Sequence, residues 1–579
     1  MAQTPALIRR FVAKDLEPSD WAQVQPLFET LLERKLDDIK ALCAWLDDYS
    51  ELMSVLREHG ARVNINKACD TESDDIDAAF MHWVEQIQPK LKPVMSQLQK
   101  KLLASKHTAE LPAKRFEVLL RDWQADVDLF CEANVPIQTK LTKLASKYDK
   151  HMGRLAVQWQ GRELTLQQLA KVQEDPDRSA REQAWMLDAE QRLSIRDKVD
   201  TIYSKQVALR QEMANNAGKS DYIAWEWHNK HRFDYTAQDC AAFCDAIAQV
   251  CVPMVRRLNQ KRQAALGVDT LRPWDTTVDA QNRAALAPFD TDDASGLIDG
   301  CRAIFQTLNP SLAEDFSTLK TGRNLDLVSR KGKRGGGFQA SLTESRQPFI
   351  FMNAAGRQAD VRVMLHEAGH AFHYMWASAT DPLVFLQHAP IEFCEVASMA
   401  MELFGAPHFD HFYAGDQAAS RRAQTDHLEG IIRFFPWMAA IDRFQHWVYA
   451  NPTHSADQRT AAWNNITDTY GTRHGGAGVD WSGLEDQRDA YWQRQIHLLH
   501  YPFYYVEYGI AQLGALQLWQ RYRKDRDTAL AGYRRALALG GTRKLPKLFE
   551  AADIRFDFTR ATLEPLMQEI EREMNRLNA

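Results

Sequence analysis

The 579-residue chain reads as a mostly α-helical protein with one small antiparallel sheet, and three observations predict this. Apolar residues recur at helical spacing along much of the length, as in Leu27, Leu31, Leu32 and Leu36 or Trp83, Ile87, Leu91 and Met95. Strand-like alternation is confined to one place, where Phe338, Ala340 and Leu342 alternate with Gln339, Ser341 and Thr343 and the apolar run PFIFM (348–352) follows. Hydrophobic residues make up 45% of the chain, with 16 Trp and 26 Phe, so material for a large helical core is not limiting.

Taken in order, residues 1–200 form an N-terminal region of successive amphipathic helices, with breaks at KHTAELPAK (106–114) and EDPDRS (174–179). Helical patterning continues from 180 to 265. A stretch rich in Asp, Thr, Pro and Gly, from Gly267 to about Gly296, marks a long loop. The two strands come next, and helices then resume to the end, interrupted by the glycine loop GTRHGGAGVDW (471–481). Residues 201–579 therefore make a second region, and it holds every motif with chemical content.

Composition removes several classes of function. A formal net charge of -6 and the absence of a long Lys/Arg run leave nothing to bind a phosphate backbone, so nucleic acid is not an expected partner. No run of about 18 uncharged apolar residues occurs, and the first residues lack an apolar h-region; a cytoplasmic protein away from membranes is expected. Eight cysteines are sparse, none pairs as Cys-x-x-Cys, and Cys240, Cys244 and Cys251 lie at near-helical spacing, as buried thiols do.

The segment Val361 to Ala377 is apolar around most of its circumference, so as a helix it is buried. His366, Glu367 and His370 inside it would cost several kcal/mol, on the order of the penalty for unpaired buried polar groups, unless a cation or partner satisfies them. Four residues apart, both imidazoles project from one face and can take adjacent corners of a tetrahedral zinc site. Glu367 then stands beside the metal, able to accept a proton from a water that the metal activates. Gly369 lets another segment approach, and Asp360 can cap the helix start. A third ligand must come from elsewhere, and Glu392, Glu395 and Glu402 on PIEFCEVASMAMELF are the carboxylates on offer. The metzincin pattern is excluded by His373 and Trp376.

Several ordered motifs now resemble one family, the thimet oligopeptidase and oligoendopeptidase F peptidases, and most closely their Pz-peptidase-like branch. They are DLVSRKGKRGGGF (326–338), PFIFMN (348–353), DVRVMLHEAGHAF (360–372), EFCEVAS (392–398) and HLLHYPFYYVEYGIAQLGALQLW (497–519). The resemblance implies a large helical bowl with a deep substrate channel, one Zn2+ per chain and Glu395 as the third ligand, with Ser398 hydrogen-bonding a ligand. It implies that His497, Tyr501 and Tyr508 donate to the oxyanion of the reaction, with Tyr505 one turn from both tyrosines. The interval from His497 to Tyr501 is one residue shorter than in the thimet branch, and Tyr504 and Tyr505 can exchange roles. Pro502 suits the first turn of a helix running to Trp519.

The expected function is a zinc metalloendopeptidase acting on internal bonds of short unstructured peptides, with Glu367 as general base. PFIFMN is expected either to take the substrate backbone as an added strand or to pack inside the domain. The glycine loops at 335–337 and 471–477 are expected at the channel rim. Two alternatives stand beside this reading. A carboxypeptidase or dipeptidyl carboxypeptidase would need a cationic anchor, for which Arg323, Arg330 and Arg334 are available, and a non-catalytic binding protein would keep only a structural zinc.

Overall fold

The computed structural model describes residues 5–290, 293–473 and 476–579. Helices dominate, and their starts carry the side chains that helix ends require. Asp38, Asp221, Thr236, Ser455 and Asp525 each accept a hydrogen bond from a first-turn amide of the helix that follows. Each such cap is worth about 1 kcal/mol.

Five helices position the site: α1 (Ile39–Cys69), α2 (Gln358–Thr380), α3 (Ile391–Gly405), α4 (Gln417–Ala450) and α5 (Tyr505–Lys524). The buried apolar side chains gather mainly in two clusters. One runs from Val12 to Trp123 and includes most of the buried face of α1. The larger runs from Leu129 to Leu577 and contains α2 to α5. Leu383, Val384 and Leu386, on the connection between α2 and α3, belong to the first cluster. Phe385 packs there against Tyr49 and Trp123, with ring centroids at 4.8 and 5.0 Å. The link between the two ligand-bearing helices is thus anchored in the N-terminal core.

Within the N-terminal region, β1 (Ala156–Trp159) and β2 (Arg162–Thr165) form an antiparallel hairpin where the sequence pattern suggested only helices. Gln160 and Gly161 both have positive φ, the geometry of a two-residue turn that matches strand twist. The second sheet holds the expected antiparallel pair, β4 (Phe338–Leu342) and β5 (Gln347–Ala354), and adds β3 (Leu325–Val328) parallel to β5. Its order is β3-β5-β4, so β5 lies in the middle. PFIFMN is therefore paired on both sides and cannot accept a further strand, which removes the expectation that it binds substrate. The outer edge of the sheet on this side belongs to β4. Helix α1 braces the turn that joins β4 to β5: Thr343 Oγ1 donates to Ser54 O at 2.7 Å, and the Glu344 and Ser345 amides donate to Glu58 Oε2 at 2.9 and 2.7 Å.

Candidate active site

Helix α2 begins as its acidic residue dictates. Asp360 lies in the first turn, and its Oδ2 accepts from the amides of Ala355 and Arg357 at 2.7 and 2.9 Å, so it secures the chain entering the helix. Helix α3 crosses α2 in direct backbone contact. A Cβ on Gly369 would sit 2.6 Å from Ala397 O and 2.7 Å from Ser398 Cα, which only glycine avoids.

That approach brings Glu395 onto the two histidines. Its Oε2 lies 3.2 Å from His366 Nε2 and 3.5 Å from His370 Nε2, and one donor atom from each of the three residues falls within 4.8 Å of the others. Two imidazoles and one carboxylate are a donor set for a three-ligand zinc site, and the spacing fits one ion. Burial alone would raise the Glu395 pKa, but His370 and His366 outweigh it and hold the carboxyl well below the usual range. Ser398 Oγ donates to Glu395 Oε2 at 2.9 Å, and Tyr504 donates to Oε1 at 2.6 Å. Both oxygens of this buried carboxylate are thereby oriented.

The other two glutamates of α3 stand apart from the cluster. Glu392 accepts from the Tyr235 hydroxyl at 2.5 Å. Glu402 binds the far side of His366, Oε1 to Nδ1 at 2.8 Å, and leaves Nε2 facing the cluster. Its second oxygen lies 3.3 Å from Nε2 of His427, which α4 supplies. Burial works against the Glu402 charge, yet the hydrogen bonds from His366 and His427 bring its pKa down to about 2. A carboxylate behind a ligating imidazole fixes its tautomer and ring orientation.

Glu367 is buried, and its Oε2 has no hydrogen-bond partner among the described residues. Burial pushes its pKa above the ordinary glutamate value, while His366 and His370 oppose. A Cβ on Gly337 would lie 3.3 Å from Glu367 Oε1 and 3.3 Å from Phe351 O, so the glycine loop before β4 closes onto this carboxylate. In the other glycine loop, His474 and Gly475 lie outside the described residues.

The facing wall comes from the short helix Ile496–His500 and the start of α5. His497 Nε2 and the Tyr508 hydroxyl are 3.1 Å apart. Burial pushes the His497 pKa down to about 3, against the pull of Glu395, so the ring is neutral. Burial and then Glu395 hold the Tyr508 phenol well above its usual value, so it keeps its proton. The four tyrosines separate in role. Tyr501 is 47% exposed. Tyr505 is buried, accepts from Trp437 Nε1 at 3.3 Å, and packs its ring 5.0 Å from His497 and 5.4 Å from Tyr508. Tyr504 reaches Glu395, a contact that helical periodicity did not single out. Helix α5 starts at Tyr505, not Pro502, because Phe503 has a positive φ and breaks the run.

The arginines considered as anchors are disposed differently. Arg330 is spent on both oxygens of Asp326 at 2.7 and 2.8 Å, Arg334 lies over the Phe338 ring at 4.7 Å, and Arg323 is exposed in the turn before β3.

A helical bowl with two small sheets, a three-donor cluster on crossed helices and a His/Tyr wall define a peptidase architecture. Residues 171–568 match peptidase family M3, and residues 11–130 match the peptidase M3 N-terminal domain; the chain belongs to this family. A structure of Pz peptidase A with a bound inhibitor has a TM-score of 0.91 at 26% identity, covering 98% of this chain and 99% of that one. A crystal structure of a candidate oligoendopeptidase F has a TM-score of 0.90 at 27% identity, with the same coverage. An oligoendopeptidase F homologue of Borreliella burgdorferi is 21% identical over 253 residues, 42% of this chain. That match spans 41% of the curated relative's length. No helix among the described residues is long and apolar enough to cross a membrane.

Proposed function

We propose that the chain is a zinc metalloendopeptidase that hydrolyses internal bonds of short, unstructured peptides, with His366, His370 and Glu395 holding one zinc ion. The observation that carries this reading is Glu367, a buried carboxylate beside the three donors with an oxygen left unpartnered among the described residues. A structural site has no use for such a group. A zinc ion held by His366, His370 and Glu395 would supply Lewis acidity towards the scissile carbonyl and the attacking water.

The chain's own residues do the rest. Glu367, its proton affinity raised by burial, accepts a proton from the attacking water and returns it to the leaving amine. Tyr508 and the neutral His497 face the cluster as donors to the oxyanion, and Tyr501 can join them from the exposed side of the wall. Tyr505 acts from behind by packing on both rings. Tyr504 and Ser398 hold Glu395 in place. The substrate backbone would pair with the open edge of β4, beginning at Phe338 beside Gly337 and Glu367. An added strand requires an extended segment, which suits oligopeptides and excludes folded proteins. Residues 1–200 would contribute one wall of the channel and 201–579 the chemistry. All eight cysteines are free, as suits the cytoplasm.

The test is Glu367→Gln on an internally quenched peptide blocked at both ends. Turnover should fall about 10²–10⁴-fold with one zinc retained per chain. Unchanged cleavage would remove Glu367 from the reaction, and a wild type that leaves the blocked peptide intact but trims its unblocked counterpart from one end would replace the endopeptidase with an exopeptidase.

A further inference from the structure

Arg57 is the unusual residue of α1. Its neighbours Leu56 and Glu58 are buried, and the surrounding turns of the helix are engaged with Val384 and with the turn after β4. Arg57 is nevertheless exposed to solvent. Its guanidinium meets the α2–α3 connection at Val384 and Phe385, while Ser54 and Glu58 on the neighbouring turns hold the turn after β4. Arg57 is thus a solvent-facing cation where the N-terminal helix meets the connection that leads to Glu395.

Three features of the spot point to a ligand. The guanidinium lies over the Phe385 ring at 5.4 Å, and its one hydrogen bond among the described residues is Nη1 to Val384 O at 3.5 Å, so most of its five donors are uncommitted. No carboxylate pairs with it among the described residues, whereas Arg115, Arg232 and Arg330 are paired with Asp381, Glu507 and Asp326. His388, also exposed, lies three residues beyond Phe385 on the same connection; burial lowers its pKa first, and the charges of Arg57 and His370 push the same way. A solvent-facing guanidinium resting over an aromatic ring, with its donors uncommitted and an imidazole on the same connection, is suited to a carboxylate.

We propose that Arg57, with Phe385 and His388, forms a substrate subsite that binds a carboxylate of the peptide. The proposal rests on the peptidase reading above. The carboxylate is either the peptide's C-terminus or an Asp or Glu side chain. Phe385 supports the guanidinium, and His388 adds a hydrogen bond.

The experiment compares kcat/KM for one internally quenched peptide in four forms: amidated and neutral, free acid, and amidated with Glu or Lys scanned across the positions flanking the cleaved bond. Wild type should favour a carboxylate-bearing form over its neutral counterpart by about tenfold or more. Preference for the free acid identifies the terminus, and preference for Glu at one position identifies a side chain. Arg57→Gln should abolish that preference while leaving the neutral peptide within about twofold. Arg57→Lys should retain part of it, and Arg57→Glu should turn it towards the Lys peptide. Zinc content and melting temperature verify that each variant folds. Equal preference in wild type and Arg57→Gln, or an equal loss on all four peptides, overturns the subsite and leaves the peptidase reading standing. Failure of zinc-loaded wild type to cleave any peptide overturns the peptidase reading itself.

Discussion

The hydroxyl of Tyr504 donates to Glu395 Oε1 at 2.6 Å, tying the start of α5 to the carboxylate of α3. One hydrogen bond therefore joins the wall of the cleft to its three-donor cluster. Tyr504→Phe leaves the ring packing intact and deletes only that bond. Zinc affinity, measured by competition with a chelator, should fall about tenfold, as for other partners of metal ligands. Unchanged affinity would mean that Ser398 alone orients Glu395.

Glu402 orients His366 from behind. Glu402→Gln keeps the volume but no longer matches the Nδ1–H donor with a charge, and zinc affinity should drop about 10- to 100-fold with the fold preserved. His427→Gln, one step further out, should have a smaller effect. A larger loss from His427→Gln than from Glu402→Gln would reverse the order of this chain of contacts.

Tyr508→Phe should lower kcat by about 10²–10³-fold with KM little changed, the signature of a donor used only in the transition state. A loss confined to KM would make Tyr508 a binding residue.

The pH profile follows from the buried groups. Glu367 must be ionised to accept a proton; burial raises its pKa and a neighbouring zinc ion would lower it, and kcat/KM should fall on the acid side as Glu367 takes a proton. His497 stays neutral down to about 3 and should add no limb of its own near neutrality. The check is that Gln at position 367 removes the acid limb from whatever activity remains.

Gly369→Ala forces a Cβ to within 2.6 Å of the α3 backbone. Overpacking of this kind costs about 1–3 kcal/mol. The melting temperature and zinc affinity should fall together, since the displaced helix carries Glu395. A loss of stability with zinc affinity intact would show that α3 moves without carrying its ligand.

How far the sequence could be read differs from residue to residue. His366, Glu367 and His370 were legible because three costly side chains interrupt an apolar helix. Glu392, Glu395 and Glu402 were indistinguishable by spacing; the resemblance pointed to Glu395, and the close crossing at Gly369 brings that residue onto Nε2 of both histidines. Tyr504 and Tyr505 are adjacent, and the positive φ of Phe503, which no apolar period reveals, sets which hydroxyl points to Glu395. PFIFMN was legible as a strand but not as a central one, because its partner β3 lies more than twenty residues earlier and pairs in parallel. Its unbroken apolar run was the available sign of a strand buried on both faces. Arg57 carried no motif; its role depends on Phe385 and His388, more than three hundred residues away.

The anchoring of Leu383–Leu386 in the N-terminal core gives the two halves a common fate. A fragment beginning after residue 130 would contain His366, Glu367, His370, Glu395, His497 and Tyr508, the whole chemical inventory. It would still leave the strap between α2 and α3 with its apolar side chains in water, and the crossing of those helices would rest on the Gly369 contact and the second core alone. The first 130 residues thus act as an internal splint for a donor cluster to which they contribute no residue, and the His366/His370/Glu395 geometry should be lost in the same cooperative step as the N-terminal fold.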